Sequence, residues 1–172
     1  YPAILMVAGS GPNDRDETIG ANKPFKDLAL GLASRGVAVL RYDKRTKTHG
    51  ARAAAILRLT VKEEVVDDVL EAAKVLRGRP KIDPARIFVL GHSLGGMLIP
   101  RIAAVDPKFA GFVVMAGAAR PLEDAIVAQT TYLAQADGAV SPEEQKGIDD
   151  AVKVAAEVKA LTPEDARTGK TI

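Results

Sequence analysis

The chain of 172 residues has no cysteine and no tryptophan, only two histidines, and aromatic residues at 4%. Without cysteine there is no disulfide, no thiolate metal ligand and no cysteine nucleophile, while the redox compartment stays open. Two histidines give a dedicated transition-metal site little to work with. No apolar run approaches the roughly 18 to 20 residues that span a bilayer, so no membrane span is expected. An excess of either charge is also missing. Lys and Arg number 24 against 22 Asp and Glu, a net +2, which gives no reason to expect nucleic acid or an anionic membrane as the main partner. The chain opens on Tyr1 rather than Met and enters Ala3-Ile4-Leu5-Met6-Val7 almost at once. We expect residues upstream, so localisation is not read from this N-terminus.

What is present is the makeup of a globular protein with a real core, 47% hydrophobic and 27% charged. Compact runs rich in Val, Ile and Leu at Ala3 to Val7, Val37 to Tyr42, Arg86 to Leu90 and Gly111 to Ala116 read as buried parallel strands. Helical patterns separate them. Pro24 to Arg35 sets Phe25, Leu28, Ala29 and Leu32 on one face, and Gly36 follows as a C′ residue. A second helix opens at Thr60, where Thr60 and Glu63 make a capping-box pattern. Its buried stripe is Val61, Val65, Val69, Ala72, Ala73 and Leu76, and Gly78 and Pro80 end it. A third runs from about Leu94 to Val105, bent or weakened by Pro100. Alternating strands and helices predict an α/β fold with a mostly parallel sheet and right-handed crossovers.

After Arg120 and Pro121 no convincing strand follows. Leu122 to Ala136 reads as a helix and Asp137-Gly138 as a turn. Ser141 with Glu144 forms a capping box that opens a helix to about Leu161, and Thr162-Pro163-Glu164 can start another. The predicted organisation is a core over residues 1–120 and a helical segment over 121–172.

The strongest chemical signal is Gly91-His92-Ser93-Leu94-Gly95-Gly96, between a predicted strand and a predicted helix. A nucleophile elbow requires that context: a tight turn presents the serine Oγ beyond the sheet, and flanking glycines remove Cβ atoms that would clash. The alternative is a glycine-rich turn whose serine only caps the helix. The first strand runs into Ala8-Gly9-Ser10-Gly11-Pro12-Asn13-Asp14-Arg15-Asp16, a turn that can aim backbone N–H groups at a ligand. In an elbow enzyme one oxyanion donor is the N–H after the nucleophile, here Leu94. The other comes from the loop after an earlier strand, with Ser10 the stronger candidate and Gly9 close by. Taken alone, this stretch reads better as an ordinary Gly-Pro turn; together with the elbow it reads as the oxyanion loop.

With Gly9 to Asp16, Leu40-Arg41-Tyr42-Asp43-Lys44-Arg45 and Gly91 to Gly96 in this order, the chain resembles the α/β-hydrolase superfamily. The nearest likeness is to bacterial serine esterases related to dienelactone hydrolase and serine aminopeptidases. The resemblance covers nearly the whole chain and is specific to the superfamily, though not to a substrate. It implies an eight-stranded, mostly parallel sheet flanked by helices, with the segment after Arg120 as a cap. It also implies a small acyl ester as substrate and no cofactor. Relatives usually carry His-Gly where this chain has Ala8-Gly9, a departure that bears on the rigidity of the loop more than on the chemistry.

A serine needs a histidine to take its proton and a carboxylate to orient that histidine. His92 adjoins Ser93, but the bend sends the two side chains apart, so it reads as a loop-lining residue bonded to nearby backbone. His49 reads as a solvated loop residue. Superfamily order puts acid and base after the serine, yet no histidine follows His92. The later acids Asp124, Asp137, Asp149 and Asp150 read as solvated faces, so neither role is assigned. The expectation is a partial α/β-hydrolase fold lacking its last strands, inactive by itself. Its rival is a non-catalytic piece that binds a ligand, or self-associates or exchanges strands through an open sheet edge.

Three weaker signals remain. Arg41, Lys44, Arg45, Lys47 and Arg52 either favour an acidic substrate or form a solvated loop pairing locally with Asp14, Asp16 and Asp43. Gly169-Lys170-Thr171 lacks the rest of a phosphate loop, and Gly9-x-Gly11 lacks the third glycine of a dinucleotide fingerprint. Finally, a cap rich in Ala, Leu and Val with Tyr132 near its middle suggests a modest apolar acyl pocket.

Overall fold

The structure is a computed structural model that describes residues 1–54 and 59–168. Gly169-Lys170-Thr171 lies outside the described residues. Two compact units divide at Gly117 and Ala118.

The first unit carries a parallel sheet of four strands in the order β2-β1-β3-β4. These are β1 Ala3–Val7, β2 Ala38–Leu40, β3 Ile87–His92 and β4 Gly111–Met115. All four coincide with runs read from the sequence, but only β1 and β3 are buried as expected, β2 being half-buried and β4 exposing Phe112 to Val114 at the sheet edge. Strand β2 is shorter than predicted because only Ala38 to Leu40 pair with Ala3 to Leu5. Strand β1 is buried at all five positions, as a central strand covered on both faces must be. Its alternating side chains feed two cores. Ala3, Leu5 and Val7 join Val65, Val69, Ala73, Leu98 and Ile102 on one face, whereas Ile4 and Met6 join Phe25, Leu90 and partly buried Leu28 and Leu32 on the other. Helix α1 (Pro24–Ala33) thus covers one face. The opposite face receives the segments that supply Val65 to Leu76 and Leu98 to Ile102.

Short helices α2 (Arg45–Thr48) and α3 (Gly50–Ala54) follow β2. The next helix departs from expectation at its start. The Thr60 N–H does donate to Glu63 Oε2 (3.0 Å), but the Thr60 hydroxyl donates to the same carboxylate and accepts from Lys62 N–H (3.2 Å) rather than from Glu63 N–H. The box is half made. Lys62–Val66 winds as a π-helical turn before α4, Asp67–Arg77. The predicted helix from Leu94 to Val105 is also two pieces, α5 Leu94–Met97 and α6 Ile99–Val105, joined at Leu98. Pro100 has no N–H to give Gly96 and its ring crowds that carbonyl, so the ladder breaks there and Pro100 falls in the first turn of α6.

The second unit contains α7 (Leu122–Ala134), α8 (Pro142–Lys159) and α9 (Pro163–Thr168). Gly138, at φ +87°, makes the turn between α7 and α8, and α7 stops two residues short of the expected Ala136. At α8 both arms of the capping box form: Glu144 N–H donates to Ser141 Oγ (3.2 Å) and Ser141 N–H to Glu144 Oε2 (2.8 Å). No helix among the described residues is long and apolar enough to cross a membrane.

Candidate active site

Ser93 stands between β3 and α5 at φ +50°, ψ −117°, a backbone conformation that an L-residue adopts at a cost of about 1–3 kcal/mol and only where its surroundings impose it. The surroundings here are glycines. A Cβ at Gly91 would fall on the Gly95 carbonyl and 2.7 Å from Gly96 N. One at Gly95 would strike the Val7 carbonyl and lie 2.8 Å from that of Ala8. The turn therefore packs backbone on backbone against the end of β1. Ser93 N–H donates to Met115 O (2.9 Å) and Met97 N–H to Ser93 O (2.9 Å), which ties the turn to β4 and to α5. Leu94 opens α5, so its N–H belongs to the first turn, where no intrahelical acceptor exists.

The loop after β1 meets this turn. Gly9 lies so close to Ser93 that a Cβ on it would sit 3.2 Å from Ser93 Cβ and 3.6 Å from Ser93 Oγ. Both peptide groups of Gly9 are held. Its N–H donates to Glu17 Oε1 (2.7 Å), and its carbonyl accepts from Lys44 Nζ (3.0 Å) and Asn13 Nδ2 (3.1 Å). The Gly9 N–H is thus occupied; Ser10 is exposed, and its carbonyl accepts from Asn13 Nδ2 (2.7 Å).

Glu17 is the residue that sequence reasoning missed. It is 2% exposed, at φ +51°, and its Oε1 also accepts from His92 Nδ1 (2.8 Å), while its buried Oε2 has no partner. His92 is thus bonded to a buried carboxylate rather than to backbone as expected, with Phe25 edge-on to its ring at 6.4 Å. Nothing in Asp14-Arg15-Asp16-Glu17 distinguishes a buried glutamate from a solvated charge run. His49 caps the end of α2 and is exposed.

The basic cluster is solvated only in part: Lys47 and Arg52 are exposed and Arg41 pairs locally with Asp16 as expected, whereas Lys44 and Arg45 reach a later helix. Lys44 is buried, with its side chain only 4% exposed, and pairs with Glu64 (2.9 Å). Arg45 pairs with Asp68 and Arg41 with Asp16. Arg15 binds Asp43 through its backbone N–H and its guanidinium, and these bonds pull the Asp43 carboxyl down to about 2. Burial pushes the Tyr42 phenol up, out of its ordinary range. Within the loop, Asp14 accepts from Thr18 Oγ1 (2.8 Å) and from the Thr18 and Asp16 N–H groups, which hold its carboxyl below the usual value. The segments after β1 and β2 are consequently laced together by charge. Among the described residues no cluster of His, Cys, Asp and Glu could hold a metal.

A serine on a strand-to-helix turn, packed against the loop of a neighbouring parallel strand, is the arrangement of an α/β-hydrolase fold. Solved structures agree on the fold. The α/β hydrolase GrgF from Penicillium sp. sh18 superposes with a TM-score of 0.55 at 20% identity over 99% of this chain and 59% of its own. Acetyl xylan esterase 1 from Thermoanaerobacterium sp. superposes at 0.51 and 16% identity, over 99% and 51%. A model of the prolyl oligopeptidase family matches residues 25–166, most of the chain, and the chain belongs to that family. It is 52% identical over 133 residues to esterase EstD of Thermotoga maritima, an alignment covering 77% of this chain and 31% of that protein. To thiohydrolase apmlB of Arthrinium phaeospermum it is 27% identical over 108 residues, covering 62% and 32%. The chain spans about a third of the length of these curated relatives.

Proposed function

We propose that these residues form the nucleophile side of a serine hydrolase acting on carboxylic esters or related acyl compounds. The observation that carries the reading is Ser93 itself, held at φ +50° where β3 meets α5, with Gly9 against its Oγ. Ser93 Oγ attacks the acyl carbon as its proton passes to a general base. The tetrahedral oxyanion takes hydrogen bonds from Leu94 N–H, the nucleophile-elbow donor, and Ser10 N–H. The alcohol leaves with the proton that the base returns, and water then releases the acid from the acyl-serine. In this reading the base is supplied from outside these residues, since superfamily order puts acid and base after the serine and no histidine follows His92. Esterase EstD, at 52% identity, supports an ester as substrate. In this reading the helical segment 121–172 is the cap.

The test is direct. In the full-length protein a fluorophosphonate labels Ser93, and Ser93→Ala abolishes hydrolysis of p-nitrophenyl esters; turnover unchanged in that variant defeats the reading. The 172 residues alone turn over little or no ester. A second reading, self-association, is favoured by β4, an edge strand whose Phe112, Val113 and Val114 are exposed. Light scattering on the isolated chain decides it, a dimer supporting that reading and a monomer removing it.

A further inference from the structure

The buried Lys44 calls for a role. A cation taken out of water costs several kcal/mol unless paired and hydrogen-bonded, and this one spends its bonds on Glu64 Oε1 (2.9 Å) and on a single backbone oxygen, Gly9 O (3.0 Å). That oxygen belongs to the same peptide unit as the Ser10 N–H. The unit is planar and trans, so its C=O and N–H point in opposite directions. Whatever holds the Gly9 carbonyl sets the direction of the Ser10 N–H. Lys44 and Asn13 Nδ2 pull on the carbonyl, while Glu17 fixes the preceding peptide through Gly9 N–H. An ammonium on a carbonyl also polarises the amide, which makes its N–H a stronger donor.

We propose that Lys44 is a positioning residue for acyl transfer, fixing and polarising the Gly9–Ser10 peptide so that Ser10 N–H is aimed and strengthened before an oxyanion forms. The proposal rests on the serine-hydrolase reading above. Lys44 touches neither the acyl group nor Ser93. It acts through one peptide plane, and Glu64, which also accepts from Thr46 Oγ1 (3.1 Å), holds the ammonium in place. Lys44 holds the loop from the segment after β2, and Asn13 and Glu17 hold it from within the segment after β1.

The experiment uses the full-length protein. Fluorophosphonate labelling of Ser93 and ester turnover by the wild type stand or fall with the serine-hydrolase reading alone. Given both, Lys44→Met and Lys44→Gln are compared with Lys47→Met, a control on the exposed side of α2. We expect kcat to fall about tenfold to a hundredfold in both Lys44 variants, less than the loss of a whole oxyanion donor, with KM within about threefold. The affinity for a phenylboronic acid, whose tetrahedral adduct on serine presents the same oxyanion, should fall by the same factor. Lys47→Met should match the wild type. A general loosening of the fold would raise KM and lower the melting temperature without that correlation. A kcat retained within about twofold in both Lys44 variants, or lost without loss of boronate affinity, overturns the proposal while leaving Ser93 as nucleophile intact.

Discussion

The two units handle charge differently. In residues 1–117 charged contacts reach across the fold: the ion pairs Arg45–Asp68 and Arg41–Asp16 and the His92–Glu17 hydrogen bond join positions 23 to 75 residues apart. Lys44 and Glu17 are buried, although Lys62–Asp67 and Lys74–Glu71 are exposed near neighbours there too. In residues 118–172 the pairs are exposed. Lys146 and Asp150 are helix neighbours, 76% and 64% exposed, and Lys159 and Asp124 are 53% and 38% exposed. The first kind of pair fixes where backbone atoms lie; the second covers a surface that water would serve as well. Buried charge that fixes backbone position is therefore found in the first unit.

The contrast can be broken from either side. Gly95→Ala should do the most damage, because its Cβ meets the backbone of β1 and no side chain can swing away to make room. We expect a loss of at least about 3 kcal/mol in urea denaturation, and a loss under about 1 kcal/mol would mean that the turn and β1 are not locked together. Arg77→Ala comes next. Arg77 Nη1 donates to Asp106 Oδ2 (2.6 Å) and its guanidinium stacks 5.0 Å from the Phe109 ring. Leaving that carboxylate unpaired should cost about 2 kcal/mol near neutral pH. Burial raises the Asp106 carboxyl and the Arg77 hydrogen bond lowers it, with a net position below the ordinary value. The stabilisation is thus complete above the unfolded carboxylate pKa and disappears as pH falls through the lower folded one. The gap between wild type and variant should close in acid; a gap independent of pH would assign the effect to packing on Phe109. Lys146→Ala, in the second unit, should move the melting temperature by no more than about 1–2 °C. A larger drop would erase the distinction between the units.

The strands were legible because each lies where Val, Ile and Leu cluster, although two-sided burial explains that run only for β1 and β3; β2 is half-buried and β4 exposes Phe112, Val113 and Val114. The α8 capping box was legible because both its partners sit in one turn. Boundaries set by competing local bonds were not: the Thr60 hydroxyl donates to Glu63 where the pattern has it accepting, and Pro100 divides a continuous apolar stripe. The turn at Ser93 and Leu94 and the loop beside it could be placed from glycine spacing and chain order. Glu17 and Lys44 could not, since their burial depends on partners at His92 and Glu64, and a run of charged residues reads the same whether it meets water or a loop from across the sheet.

The backbone of Ser93 has a consequence for how the chain would drift under selection. At φ +50°, ψ −117° the position favours glycine on conformational grounds alone. Selection for soluble, heat-resistant protein would therefore drive the position from serine to glycine, whereas selection for ester turnover would hold the hydroxyl against that slope. If Ser93 is the nucleophile proposed above, position 93 is where durability and chemistry make opposite demands on one residue.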